Sequence, residues 1–182
     1  MKVINKNYTI HDLTYMIRTA NEFDAKQLSD VRLQIDGETE NMDRERGEAY
    51  IDESGFKQII KSDREKNCNL FLVVEVKGRI VGFSRCEGNA LKRTAHKVEF
   101  GVCVLKDYWG HAIGRNLLKE SIHWVETVGI TKMTLQVLET NAKAITMYKQ
   151  FGFEVEGVLK KDKLLSDGNY YHTIVMGRFH KT

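Results

Sequence analysis

Tyr108-Trp109-Gly110-His111-Ala112-Ile113-Gly114-Arg115 is the stretch on which the fold turns. It falls between an apolar run, His96 to Leu105, and a helical pattern, Ala112 to Val128, in which Ile113, Leu117, Leu118, Ile122 and Val125 recur on one side. A chain that passes from strand to helix through two glycines can turn tightly. The backbone N–H groups of the first helical turn have no acceptors of their own. Such groups converge on an anion, and Arg115 adds positive charge in the first turn. This is not a Walker loop, because Arg115 and Asn116 follow Gly114 where Lys and Ser or Thr are required, and the three-glycine dinucleotide spacing is missing too. Two glycines four apart suit an ordinary tight connection equally well, so on the segment alone both readings stand.

The flanking pattern alternates strands and helices. Tyr15 to Thr19 predicts a short strand, and Glu22 to Asp36 a helix with Ala25, Leu28, Val31 and Ile35 on one stripe and Leu33 off it. A second helix is expected from Ser54 to Lys66. Leu70 to Val76 and Arg79 to Cys86 form a hairpin across Lys77-Gly78, and His96 to Leu105 a third strand. Gly129 caps the helix that begins at Ala112. Lys132 to Leu138 is a strand, Ala142 to Gln150 a short helix stopped by Gly152, and Phe153 to Leu165 pairs with Tyr170 to Phe179 across Ser166 to Asn169. This order predicts an α+β fold with a central mixed sheet.

The chain has 182 residues without repeat or linker, so a single domain over 1–182 is expected, with 1–14 as an N-terminal extension. It is 42% hydrophobic and 29% charged, which excludes disordered and collagen-like classes. The net charge of +3 is too small to suggest a nucleic-acid partner. Cys68, Cys86 and Cys103 are odd in number and lack CxxC spacing, as for reduced core residues of a cytoplasmic protein. No run approaches the ~20 apolar residues of a membrane span, and Met1 to Arg18 lacks the apolar core of a signal peptide, so a soluble, intracellular protein is expected. Six scattered histidines show no HExxH and no ligand spacing, so no metal is expected.

A second segment sharpens the first: Glu139-Thr140-Asn141-Ala142-Lys143-Ala144-Ile145-Thr146-Met147-Tyr148-Lys149-Gln150-Phe151-Gly152-Phe153, about thirty residues on. Together the two closely resemble the GNAT N-acetyltransferase superfamily, over roughly Met16 to Arg178. The resemblance implies a mixed, mostly antiparallel sheet of about six to seven strands flanked by about four helices. It also implies acetyl-CoA as co-substrate. The loop Trp109, Gly110, His111, Ala112, Ile113, Gly114 and Arg115 would bind the pyrophosphate, Val102, Cys103 and Val104 would pair with the pantetheine arm, and Asn141 would contact that arm. Trp109 stands where the common motif has Arg or Gln, which is similar to polyamine, ribosomal-protein and small-amine acetyltransferases. Ala112 stands where the family has a glycine, and its methyl group disfavours positive φ.

Aminolysis of a thioester needs an unprotonated amine, a donor for the oxyanion and an acid for the leaving thiolate. The resemblance makes Tyr148 that acid; a core tyrosine on the stripe of Ala144 and Ile145 has the same spacing. Glu99 matches a strand carboxylate that takes the amine proton in many relatives, and an exposed strand glutamate is the alternative. His172 is a further acceptor-side candidate, His111 is expected beside the phosphates, and Cys103 is expected as a small strand residue in a direct transfer.

The resulting expectation is transfer of an acetyl group to a primary amine, on a small molecule or a protein N-terminus, by a soluble protein compatible with a homodimer. The alternative is a catalytically inactive acetyl-CoA-binding regulatory or interaction protein. Asp36 to Glu53 holds eight acids against Arg44 and Arg46. It reads either as a solvated loop or as a field drawing in a cationic acceptor.

Overall fold

Leu70, Phe71, Leu72, Val73 and Val74 are each at most 4% exposed, because β3 (Leu70–Val76) is covered on both faces. The structure, a computed structural model, describes residues 4–180; residues 1–3 and 181–182 of the expected domain lie outside the described residues. Lys77 and Gly78, both at positive φ, fold β3 back onto β4 (Arg79–Gly88). On the other side of β3 lies β2 (Leu13–Thr19), and beyond it β1 (Asn5–Ile10). The sheet continues from β4 through β5 (Lys97–Val104), β6 (Lys132–Leu138) and β8 (Tyr170–Phe179) to β7 (Glu154–Leu164) at the far edge.

One face of the sheet is covered by α1 (Ala25–Glu38) and α2 (Glu53–Glu65), whose Phe56 packs on Phe71 and Phe83. The other face is covered by α3 (Ile113–Thr127), where Ser121 meets Ser84 of β4. The predicted stripe of α3 is its buried side: Ile113, Leu117, Leu118, Ile122 and Val125 are all at most 8% exposed. Beside α3 stands α4 (Ala142–Gln150), joined to it where Arg115 Nη1 donates to Gln150 Oε1 at 2.7 Å.

The sheet has eight strands rather than six to seven, and the additional one comes from the N-terminal segment set aside as an extension. Its sequence, Asn-Lys-Asn-Tyr-Thr-Ile, carries little apolar periodicity. It is held instead by pairing with β2, by Tyr8 stacked on Tyr15 at 5.6 Å, and by Lys6 and Tyr8 binding Glu120 of α3.

All pairings are antiparallel except one. The parallel contact of β5 with β6 joins Lys97, Val98 and Glu99 to Lys132, Met133 and Thr134 and goes no further. Beyond Glu99 and Thr134 the two strands part, leaving a gap in the middle of the sheet.

Candidate active site

At the end of β5 the chain makes a single 3₁₀ turn, Lys106 to Tyr108, and Trp109 Nε1–H returns to donate to Val104 O at 2.9 Å. Gly110 then takes φ +86° and Ala112 φ +57° before α3 begins. Asn116 is the first residue of the helix whose N–H finds a backbone acceptor, Ala112 O at 2.9 Å. The six preceding backbone N–H groups, Gly110 to Arg115, have no acceptor among the described residues. Two left-handed residues and a helix start thus turn a row of N–H dipoles to one side, the geometry of an anion nest. The expectation that Ala112 avoids positive φ is corrected: the loop holds it in the left-handed region, where an alanine costs about 1–2 kcal/mol.

The loop is fixed from behind by residues that motif reading passes over. The hydroxyl of Tyr15, 1% exposed in β2, donates to His111 O at 3.1 Å and accepts from Asn116 Nδ2 at 2.7 Å. Tyr15 lies about a hundred residues earlier, and no local signal announces the contact.

Val102 to Val104, Trp109, Gly110, Ala112 to Arg115 and Asn141 line one cavity of about 530 Å³, together with Ile35, Met42, Lys143 and Met147. Of the expected cofactor residues only His111 stays outside it, with a buried, unpartnered Nδ1. Arg115 lies 4.8 Å over the Phe151 ring, which positions its charge at the wall alongside Lys143. Leu105 N–H donates to Val81 O on the β4 side, so in a regular strand Val102 and Val104 turn their backbone groups toward the gap. Trp109 occupies the Val104 carbonyl, leaving the two valine N–H groups and the Val102 carbonyl free for an extended ligand. Asn141 caps α4, its Oδ1 accepting from Ala144 N–H at 3.3 Å. A long polyanionic thioester with an extended arm, such as acetyl-CoA, fits this set: N–H groups and cations at one end, an open strand edge at the other.

The two expected catalytic side chains are not brought into one cavity. Tyr148 lies one helical turn beyond Ala144, is 6% exposed and packs on Phe153 at 5.8 Å. Its hydroxyl bonds to no described residue, and burial pushes it up to about 12. Glu99 is exposed and lines a second cavity of about 340 Å³ on the α1–α2 face, which meets the first at Met42, Val102 and Cys103. His172 is engaged structurally, its ring Nδ1 accepting from Lys161 N–H and its backbone N–H donating to Glu139 Oε1. Burial pushes the Cys103 thiol up to about 12, which keeps it protonated and unsuited to attack.

The acidic segment is largely occupied by local structure. Asp36 pairs with Arg32, Asp43 with Lys163 and Glu53 with Lys57, while Asp52 caps α2. Glu38 accepts from Lys106 N–H at 2.7 Å and Glu40 from Ser166 N–H at 2.9 Å. These contacts tether the α1–α2 loop, which carries Met42, across the cavity mouth to the β7–β8 hairpin. That favours the structural role of the segment over a long-range field.

A nest of N–H groups at a parted sheet edge, beside a second, charged cavity, is an arrangement that could hold an anionic, extended ligand. Residues 35–153 match the Acetyltransferase (GNAT) family, and the chain belongs to it, as an acyltransferase of the N-acetyltransferase type. An L-amino acid N-acetyltransferase of Escherichia coli is 29% identical over 147 residues, 80% of either chain. A ribosomal protein bS18-alanine N-acetyltransferase of Salmonella typhimurium is 34% identical over 74 residues, 41% of this chain and 45% of that protein. Among solved structures, a GNAT-family acetyltransferase from Streptococcus pneumoniae superimposes with a TM-score of 0.87 at 23% identity, covering 91% of this chain and 99% of the other. A Salmonella typhimurium protein solved with its cofactor acetyl-CoA superimposes with a TM-score of 0.80 at 19% identity, covering 92% of this chain and 96% of the other. At such identities these likenesses establish the fold. Among the described residues, no helix is long and apolar enough to cross a membrane.

Proposed function

We propose that the protein transfers an acetyl group from acetyl-CoA to a primary amine by direct attack. The observation that carries this reading is the row of N–H groups from Gly110 to Arg115 that meet no acceptor among the described residues, five of whose six residues line the same cavity as the free edge of β5. Acetyl-CoA, when bound, supplies a thioester whose acyl carbon passes to the amine with release of the CoA thiol.

The chain's own residues have separable tasks. The nest, with Arg115 and Lys143, holds the pyrophosphate end. The N–H groups of Val102 and Val104 orient the arm and donate to the oxygen that gains charge. Glu99, on the acceptor side, takes the amine proton directly or through one water. Tyr148, like any tyrosine, keeps the proton on its hydroxyl at neutral pH, burial raising its pKa further, and that proton is available to the departing sulfur. The names of the relatives, one acting on L-amino acids and one on a ribosomal-protein alanine, support an amine acceptor. Three free thiols fit a reducing compartment such as the cytoplasm.

The test is release of free thiol from acetyl-CoA across amino acids, polyamines, aminoglycosides and peptides. Tyr148→Phe is expected to lower turnover by about 10²–10⁴-fold while acetyl-CoA affinity stays within about threefold. Unchanged turnover removes Tyr148 from the mechanism. Absence of thiol release with every amine removes the reaction itself.

A further inference from the structure

The charges around the second cavity are unevenly used. Arg32 of α1 donates only through Nε–H, to the two Asp36 oxygens at 2.8 and 3.0 Å. Its four Nη hydrogens meet no acceptor among the described residues, although the side chain is only 19% exposed. Arg85 is different: Nε and Nη2 bind Asp63, and Nη1 faces Glu87 at 3.1 Å. Glu99 stands directly across from Glu87 in the β4–β5 pairing, and no described cation lies against it. Like charges placed opposite one another weaken a sheet.

The Nη groups of Arg32 are not sealed from solvent, and their donors stand open to a ligand that enters the cavity. A carboxylate entering the cavity would take them in the bidentate geometry that Arg favours. The neighbouring glutamates repel polyanions and suit an ammonium group. One carboxylate next to one amine satisfies both ends. Arg32 lies near the junction with the first cavity, where Cys103, which senses its charge, lines both.

We propose that the second cavity receives the acceptor and that Arg32 binds its carboxylate, so that the acceptor is a free α-amino acid rather than a polyamine or a peptide N-terminus. This rests on the acetyl-transfer reading above. A polyamine has no group for Arg32, and a peptide N-terminus presents an amide where the carboxylate belongs.

The experiment compares thiol release with L-amino acids, their α-amides and the corresponding decarboxylated amines. With the unmodified protein, kcat/KM for the acids should exceed that for the amides by roughly 10- to 100-fold, the range for a charge-assisted pair, and mostly through KM. Arg32→Gln should bring that ratio close to one. Because Arg32 also holds Asp36, the comparison of acids with amides in the unmodified protein stands independently of how the variant folds. Gly101 gives a second handle: it faces Arg85 across the strands, and a β-carbon there meets no atom within 4 Å. Gly101→Leu should therefore block turnover of amino acids while acetyl-CoA still raises the melting temperature. Amides or polyamines used as well as acids, or an acid-to-amide ratio untouched by Arg32→Gln, would overturn the role of Arg32 and leave acetyl transfer intact. No thiol release with any acceptor would overturn acetyl transfer, and this assignment with it.

Discussion

Ala112→Gly should make the protein more stable, although it removes a methyl group and adds a flexible residue. At φ +57° and ψ +18°, Ala112 occupies the left-handed region at the N-cap of α3, with no side-chain hydrogen bond to compensate. An L-residue there costs about 1–2 kcal/mol, whereas glycine adopts it freely. Against that, glycine loses roughly 0.4–1 kcal/mol more chain entropy on folding than alanine. The difference favours glycine by about 0.5–1 kcal/mol, or about 1–4 °C in melting temperature for a domain of this size. Because Ala112 lines the open cavity, its methyl contributes little core packing. The mirror variant is Gly110→Ala. At φ +86°, with no atom within 4 Å of an added β-carbon, its expected net loss of about 0.5–1 kcal/mol, the same balance with the sign reversed, is conformational and not steric. Urea and thermal unfolding of both variants measure this directly. A destabilised Ala112→Gly together with a neutral Gly110→Ala would refute the two left-handed turns, and with them the aligned N–H groups on which the anion site depends.

Two further predictions concern charge and pH. Burial raises the Cys103 thiol to about 12, so the stability it contributes is fully present below about pH 9 and is lost as pH rises toward 12. The slope is about 1.4 kcal/mol per pH unit, and Cys103→Ala should remove that share from urea melts taken between pH 8 and 11. At Glu120, 1% exposed, burial opposes the charge, but the Lys6 ammonium and Tyr8 hydroxyl prevail and hold the carboxyl below its ordinary value. Its contribution is therefore present above the ordinary carboxylate range and lost as pH falls through the folded-state value. Glu120→Gln should cost about 1.5–3 kcal/mol at neutral pH, and β1 amides should exchange faster than those of β3.

The parts of the fold that could be read beforehand are those whose physics is local. The stripe from Ile113 to Val125 and the run Leu70 to Val74 carry their own periodicity, and the structure buries both. Strand β1 could not be read this way, because Lys6 and Tyr8 are stabilised by a glutamate more than a hundred residues away. The acidic segment shows the same limit from the other side. Its composition leaves a solvated loop and a field both open, and the partners that decide between them, Lys106, Lys163 and Ser166, arrive from distant elements. Gly110 and Gly114 were sound markers of a tight loop; the left-handed Ala112 is imposed by anchors at Trp109, Tyr15 and Asn116. Residue spacing places Tyr148 and Glu99 on a helix and a strand but does not reveal that Glu99 lines the second cavity while Tyr148 lines neither of the two.

One topological feature underlies both cavities. In a sheet otherwise antiparallel, the passage from β5 through α3 to β6 requires a parallel neighbour, and pairing for only three residues leaves the carboxyl end of β5 open just where α3 begins. The gap and the anion nest are therefore products of the same crossover. In the proposed reaction the groups that would hold the donor are mostly backbone N–H, so side-chain replacements there should change little beyond the loop's conformation. On the proposed acceptor side they are side chains that line the second cavity, Arg32, Glu87 and Glu99, with Met42 from the tethered loop. Selectivity for the amine can thus change by substitution on the α1–α2 face while donor binding is preserved. Replacing Arg32 and Glu99 together should alter which amines are acetylated more than it alters the affinity for acetyl-CoA. If both move in parallel by calorimetry and thiol release, the two sides are not separable and the division of labour along β5 is wrong.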